Sequence, residues 1–189
     1  MAFWTDVGPT DADPKRGFRW QISFDALGGE GQSIIWFAKK VSKPNFTMTE
    51  SKHSFLNHNY YWPGRVEWQE ISLTLVDPVS PNAVANTNKI IAGMGYRLPS
   101  AQMTDLDMSS MSKGKSQGAL GVVTISQLDA NGKPIEVWTL KQAWLKSVKF
   151  GELSYEDDNL VEIELGMRYD WATCEIDGEE GSPYYSTAG

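Results

Sequence analysis

The chain has 189 residues, 41% hydrophobic and 22% charged, which is enough for one domain with its own core and too few for two. A formal net charge of −7 and an isoelectric point near 4.8 exclude a sequence-wide positive field that would hold nucleic acid. A single cysteine, Cys174, excludes an internal disulfide framework; with no charged-then-apolar leader and no apolar run of membrane-spanning length, the expectation is cytoplasmic expression and no membrane partner. The unusual feature is an aromatic content of 12%, with 8 Trp, because rings beyond what a small core holds mark interfaces.

Residues 1–16 hold no period and read as an N-terminal arm. Its Phe3 and Trp4 either pack on another subunit or fold back on their own domain. From Gly17 to Ala26 the alternation is clean: Phe18, Trp20, Ile22 and Phe24 share one face, Arg19, Gln21, Ser23 and Asp25 the other, as in a half-buried strand. The glycines at 28, 29 and 31 turn the chain, and Ser33 to Val41 returns it. Lys43 to Asn59 is polar with scattered β-formers, including Phe46 and Phe55, and reads as a long hairpin or extended loop with a binding role.

Tyr60-Tyr61-Trp62 then leads through Pro63-Gly64, read as a turn, into a β-rich run that stops at the Asp77-Pro78 turn. Val66 and Trp68 have one parity, Ile71, Leu73 and Leu75 the other, so the apolar face switches near Gln69-Glu70. Two accounts fit. A β-bulge there lets both sets reach buried surface, or Trp68 faces a neighbouring molecule while the Ile71 set faces the core.

Residues 82–94 have helical spacing, with Ala83, Val84, Ile90, Ile91 and Met94 in register, and residues 99–117 read as a flexible segment. Gly118 to Gln127, Ile135 to Leu140 and Trp144 to Phe150 are strands, the first two joined by a hairpin turn at Asp129–Gly132. After a loop at 151–159, Val161 to Trp171 reads as one last strand, with Ile163, Leu165, Met167 and Tyr169 opposite Glu162, Glu164, Arg168 and Asp170. Residues 173–189 read as a C-terminal tail. The fold expected is mainly β: an antiparallel sandwich or barrel with one flanking α-helix, spanning 17–172.

No catalytic constellation emerges. His53 and His58, five apart in an extended chain, point to opposite faces and share no metal. Asp129, Asn131 and Gly132 open like a calcium loop but lack its closing carboxylate, and Glu156-Asp157-Asp158 reads as an acidic turn. Gly93-Met94-Gly95 follows a helix where a phosphate cradle precedes one, and Cys174 sits beside acids that suppress a thiolate. The expectation is no enzyme, no metal and no cofactor.

Asn57, Tyr60-Tyr-Trp-Pro-Gly-Arg65, Glu67-Trp68, Ile71 and the run Leu75-Val-Asp-Pro78 together resemble the signature region of tail tube proteins from contractile-tailed bacteriophages. The likeness resumes at Trp144–Val148, Phe150–Leu153, Tyr155 and Asp158–Glu162 and closes on Arg168-Tyr-Asp-Trp171. The resemblance implies subunits that join as hexameric rings with a continuous luminal β-barrel and stack into the inner tube of a virion tail, assembled in the host cytoplasm. Implied partners are other copies, a contractile sheath protein, baseplate and tail terminator proteins, and phage DNA passing through unheld. Tubes of type VI secretion and of extracellular contractile injection systems share the family fold and stay open as alternatives.

On that reading Glu162 and Glu164 are candidates to repel phosphate from a lumen, and Arg168 dissents on the same face unless Asp170 of a neighbour pairs with it. Phe3, Trp4, Phe46, Phe55, Asn57, Arg65 and Trp68, with the Tyr60–Trp62 triplet, are candidate contacts between subunits or rings; the other reading makes the triplet plain core. A monomeric carbohydrate-binding sandwich is the rival of a different class.

Overall fold

In the computed structural model, which describes residues 14–27, 38–80, 82–97, 110–156 and 158–176, the period-two pattern is realised as two four-stranded antiparallel sheets. Sheet I contains β1 (Trp20–Phe24), β6 (Val123–Leu128), β7 (Pro134–Lys141) and β10 (Trp171–Ile176), in the order β1-β6-β7-β10. Sheet II contains β2 (Ala38–Val41), β5 (Ile71–Val76), β8 (Trp144–Lys149) and β9 (Glu162–Arg168), in the order β2-β5-β9-β8. Inward residues of the two sheets, such as Ile22, Ile125 and Leu140 facing Leu73, Ile163 and Met167, belong to one continuous buried cluster, so the sheets form a sandwich. A further pair, β3 (Phe46–Phe55) and β4 (His58–Trp68), stands apart as a hairpin.

Helix α1 (Ala83–Gly93) falls where spacing placed it. The Asn82 side chain accepts from the Ala85 amide at 2.9 Å as its N-cap, and Ala83, Thr87, Ile90 and Met94 turn inward. The buried Thr87 hydroxyl donates to the Ala83 carbonyl at 2.9 Å, so no hydrogen bond is lost on burial.

Three expectations are corrected. The chain forms a second helix, α2 (Lys113–Leu120), across residues read as flexible and as the start of a strand. Gly114 and Gly118 obscured it because glycine opposes helix. It is held by the Ser112 cap, by burial of Ser116 and Leu120, and by a Lys113–Asp170 ion pair. Gly121, at φ 69°, ends it against residue 26, where a Cβ would lie 2.5 Å from the Ala26 amide nitrogen.

The supposed single last strand is two, because the chain crosses from sheet II to sheet I at Tyr169-Asp170. Residues 173–176 therefore belong to β10 and not to a tail, and Cys174 is buried there, its thiol pKa pushed up by burial and then by the nearby Glu136 charge.

The Asp129–Gly132 turn is as expected: the Asp129 carboxylate accepts from the Asn131 and Lys133 amides, which lowers its pKa, and Gly132 takes φ 80°. A feature with no sequence signal is Glu136 in β7, only 8% exposed. Lys15 and Lys43 each donate to it at 2.6 Å, and the Trp138 indole N–H is a third donor. Burial raises its pKa, but these donors outweigh that and hold it at about 2. The cluster ties the segment before β1 and the root of the hairpin to sheet I.

A carboxylate whose pKa falls on folding stabilises the fold above its unfolded pKa and loses that contribution as pH drops through the folded value. The stability gap between wild type and Glu136→Gln, read from urea midpoints, should be of order 2–3 kcal/mol at pH 6 and close between about pH 4.5 and 2. A gap independent of pH would show that Glu136 is not held as an ion.

Candidate functional site

The β3–β4 hairpin is fixed at its root and bare beyond it. Trp68 is 9% exposed, meets Phe46 edge-on at 5.1 Å and lies 5.8 Å from the Tyr169 ring. Burial pushes the Tyr169 phenol up to about 12, and its hydroxyl reaches toward the Asn45 carbonyl at 3.5 Å. The Gln69 amide donates to that same carbonyl at 2.9 Å. β4 ends at Trp68 and β5 begins at Ile71, so the switch of parity is a change of sheet. Neither sequence account holds: no bulge sits at Gln69-Glu70, and Trp68 with Phe46 is spent anchoring the hairpin inside its own chain.

The bulge lies elsewhere. Met48 pairs with Val66 and Glu50 with Pro63, which leaves Gly64 and Arg65 opposite Thr49. The Thr49 hydroxyl accepts from the Arg65 amide at 2.8 Å, and a Cβ on Gly64 would fall 2.3 Å from that oxygen. Pro63-Gly64 is therefore a kink within β4, where a turn was expected. The real turn is at Leu56-Asn57, joining the Phe55–His58 pair.

Outward from the bulge every residue of both strands is exposed, including Phe55, Tyr60, Tyr61 and Trp62, so the triplet is not core. The register puts Ser51, His53 and Phe55 across from Trp62, Tyr60 and His58, which makes one face of the ribbon aromatic. His53 contacts Trp62 at 6.1 Å between ring centroids, His58 contacts Tyr60 at 4.8 Å, and Tyr60 and Trp62 are 6.2 Å apart. The histidines thus share a face, because the turn reverses the strand between them. Among the described residues, no three of His, Cys, Asp and Glu converge on a metal-sized site. At the tip Leu56 is 89% exposed and takes φ 52°, a left-handed conformation that disfavours leucine.

The outer face of sheet II carries Glu162, Glu164 and Arg168, and it is not acidic. Lys39 pairs with Glu162, Lys149 with Glu164 at 2.8 Å, and Lys146 with Glu70, which also lies 3.9 Å from Arg168. With the exposed Lys40, which the register sets opposite Thr74 on the same face, five cations face three carboxylates. Arg168 finds its acid within the chain, and Asp170 is taken by Lys113. Such exposed pairs add at most about 1 kcal/mol each to stability, so their main effect is to cancel the local field.

On sheet I the register aligns Ser23, Thr124, Thr139 and Thr173 in one hydroxyl row on the outer face. Alternation in the sequence carried that signal, but only strand pairing assembles it. Among the described residues, β1 and β10 pair on one side only, as do β2 and β8. Strand edges left unpaired by the described residues are of the kind that recruit another chain.

Asp77-Pro78 closes β5 as expected, with the Asp77 amide donating to the Val161 carbonyl at 2.9 Å. A cleft of about 500 Å³ between the start of α2 and the end of sheet II is lined by Ser112, Lys113, Trp144, Arg168 and Asp170. Its charges are already paired and it brings no nucleophile to a base. Phe3 and Trp4 lie outside the described residues.

No protein-family model matches the chain, and no curated protein matches it either. Solved structures do match. A chain of the anti-feeding prophage cap, the tube-terminating cap, aligns at a TM-score of 0.58 and 17% identity over 93% of this chain and 99% of that one. A chain of the anti-feeding prophage baseplate aligns at 0.58 and 16%, over 87% and 97%. A chain of the sheath/tube terminator of an extracellular contractile injection system, in its extended state, aligns at 0.58 and 15%, over 87% and 99%. At these identities the likeness establishes a shared fold, and it covers nearly the whole length of both partners in each case.

Proposed function

We propose that the chain is a tube subunit of a contractile tail or injection device, polymerising as stacked hexameric rings inside a sheath. The observation that carries this is the hairpin: a ribbon of exposed rings, anchored only at its root, on a fold shared with chains of contractile injection assemblies. The open edges of both sheets supply the sideways contact, since pairing between neighbours closes a wall and removes the edges together.

As a phage tail tube the channel passes DNA to the host, with baseplate and tail terminator proteins at its ends. As an extracellular injection device it passes another cargo, and the fold shared with the anti-feeding prophage and extracellular injection assemblies favours keeping that second reading. Either cargo must slide without being held. A polyanion is retained by unpaired cations that release its counterions. On the outer face of sheet II four of the five cations, all but Lys40, are engaged by Glu70, Glu162 and Glu164, and we assign this face to the lumen.

Electron microscopy of purified protein should show rings or rods of uniform width; featureless monomers at high concentration would overturn the proposal and favour a sugar-binding sandwich. Replacing the ring platform with Tyr60→Ala and Trp62→Ala should raise the concentration needed for assembly at least about 30-fold, the effect of losing 2 kcal/mol at an interface hot spot. The melting temperature of the unassembled chain should stay where it was, because neither side chain is packed on the core.

Lumen placement is read by labelling. A cysteine at Glu164→Cys should react with a bulky maleimide in unassembled protein and be shielded in rods, whereas Thr139→Cys on sheet I stays reactive in bare rods. Equal labelling of both in rods would move the lumen off sheet II.

A further inference from the structure

The cleft between the start of α2 and the end of sheet II holds more hydrogen-bond donors than its own residues use. Ser116 lines it and is only 5% exposed, yet its hydroxyl makes no hydrogen bond among the described residues. Buried polar groups are almost always paired, so an unmet donor bordering a cleft marks a place where something from outside completes it. Beside it, the Ser112 oxygen accepts from the Lys115 amide at 3.3 Å, which leaves the Ser112 O–H to donate. The Arg168 guanidinium lies 3.9 Å from Glu70, too far for a hydrogen bond, and its side chain makes none among the described residues, so its donor fork is unspent. Lys113 meets Asp170 and keeps further ammonium hydrogens.

The charges call for one anion. The ions that line the cleft, with their partners, are Lys113, Lys146 and Arg168 against Glu70 and Asp170, three cations to two carboxylates. One positive charge is left over, and the first turn of α2, which opens at Ser112 and Lys113, adds the partial positive end of its backbone. A phosphate dianion beside Asp170 would exceed that balance. A monocarboxylate matches it and fits the planar fork of an arginine. Trp144, half-buried against the core, and Met111 supply apolar wall, and the volume of about 500 Å³ is that of a small-molecule site.

We propose that this cleft binds a small aromatic monocarboxylate, its carboxylate held by Arg168 and the hydroxyls of Ser112 and Ser116 and its ring laid against Trp144. The site is assembled within one chain, so the inference goes beyond the tube reading and does not depend on it. Ser112 and Ser116 belong to α2 and its cap, Trp144 and Arg168 to sheet II. A bound anion therefore ties a helix of weak propensity to the sandwich and steadies it.

The test is titration of the full chain with benzoate, with benzamide as its uncharged counterpart and inorganic phosphate as a bare anion, read by calorimetry. Benzoate should bind at one site with a Kd on the order of 1 mM, the strength open to so small a ligand, and the other two at least about tenfold more weakly. Ser116→Ala favours helix and so keeps α2; it should weaken benzoate about tenfold, the effect of one hydrogen bond to a charged group. Thr139→Ala on sheet I should leave binding unchanged. Saturating benzoate should slow amide exchange across residues 113–120 at least about threefold, which separates binding in the cleft from stacking on the exposed hairpin rings. Benzamide or phosphate binding as tightly as benzoate, Ser116→Ala binding as wild type does, or exchange in α2 that does not respond would each overturn the site. So would the absence of saturable binding up to about 20 mM benzoate.

Discussion

Trp68, wedged between Phe46 and Tyr169, is the contact on which the rest of the architecture depends. A two-stranded ribbon is marginally stable in water by itself, and among the described residues no sheet or helix covers most of this one's length. Burying one indole at its base and kinking it at Gly64-Arg65 gives it a fixed origin and a fixed bend. The partner ring, Tyr169, sits at the crossover from sheet II to sheet I, so the same three side chains hold the hairpin and the point where the sandwich changes layers. The root is clamped a second time by Lys43 on Glu136, whose other ammonium partner, Lys15, brings in the segment before β1.

The electrostatics follow a similar economy. A chain of net charge −7 was expected to present an acidic wall, yet the face nominated for it spends its carboxylates on neighbouring lysines. The negative excess lies partly in the Phe150–Leu160 segment. A wall whose cations are mostly paired would suit the proposed conduit in one respect: paired cations release few counterions to a passing polyanion and so hold it weakly.

Much of the sandwich was legible because burial follows parity. Ile22, Leu73, Ile163 and Met167 declared their faces, and α1 declared its own through Ala83, Ile90 and Met94. What escaped was whatever depended on distant strands or on residues of weak propensity. α2 carries two glycines and stands because Leu120 and Lys113 find partners far along the chain. The break at Tyr169-Asp170 was hidden because Trp171 extends the apolar parity of Ile163 to Tyr169 in sequence, whereas in the fold Trp171 is exposed and Ala172 and Cys174 turn inward. The candidate site was legible in its rings and wrong in its geometry: Phe55 and the Tyr60–Trp62 triplet were named as contacts while His53 and His58 were set on opposite faces, but strand pairing puts both histidines on one face with Tyr60 and Trp62, and only burial reveals that Trp68 and Phe46 do not belong with them.

A sandwich of this size could shield its strand edges, as monomeric antiparallel folds do with charge, proline or a covering helix. Here Pro63 lies in the ribbon and not on an edge of the sandwich, and α1 packs on α2, which in turn lies against β8 and the turn after β1. Among the described residues the outermost strands of both sheets keep unpaired backbone on one side, and the largest exposed rings project from one end. Aromatic surface and open backbone are each tolerable in a monomer when isolated. Together they are the two features on which the proposed assembly of copies calls: strand edges for sideways contact and a face of exposed rings at one end.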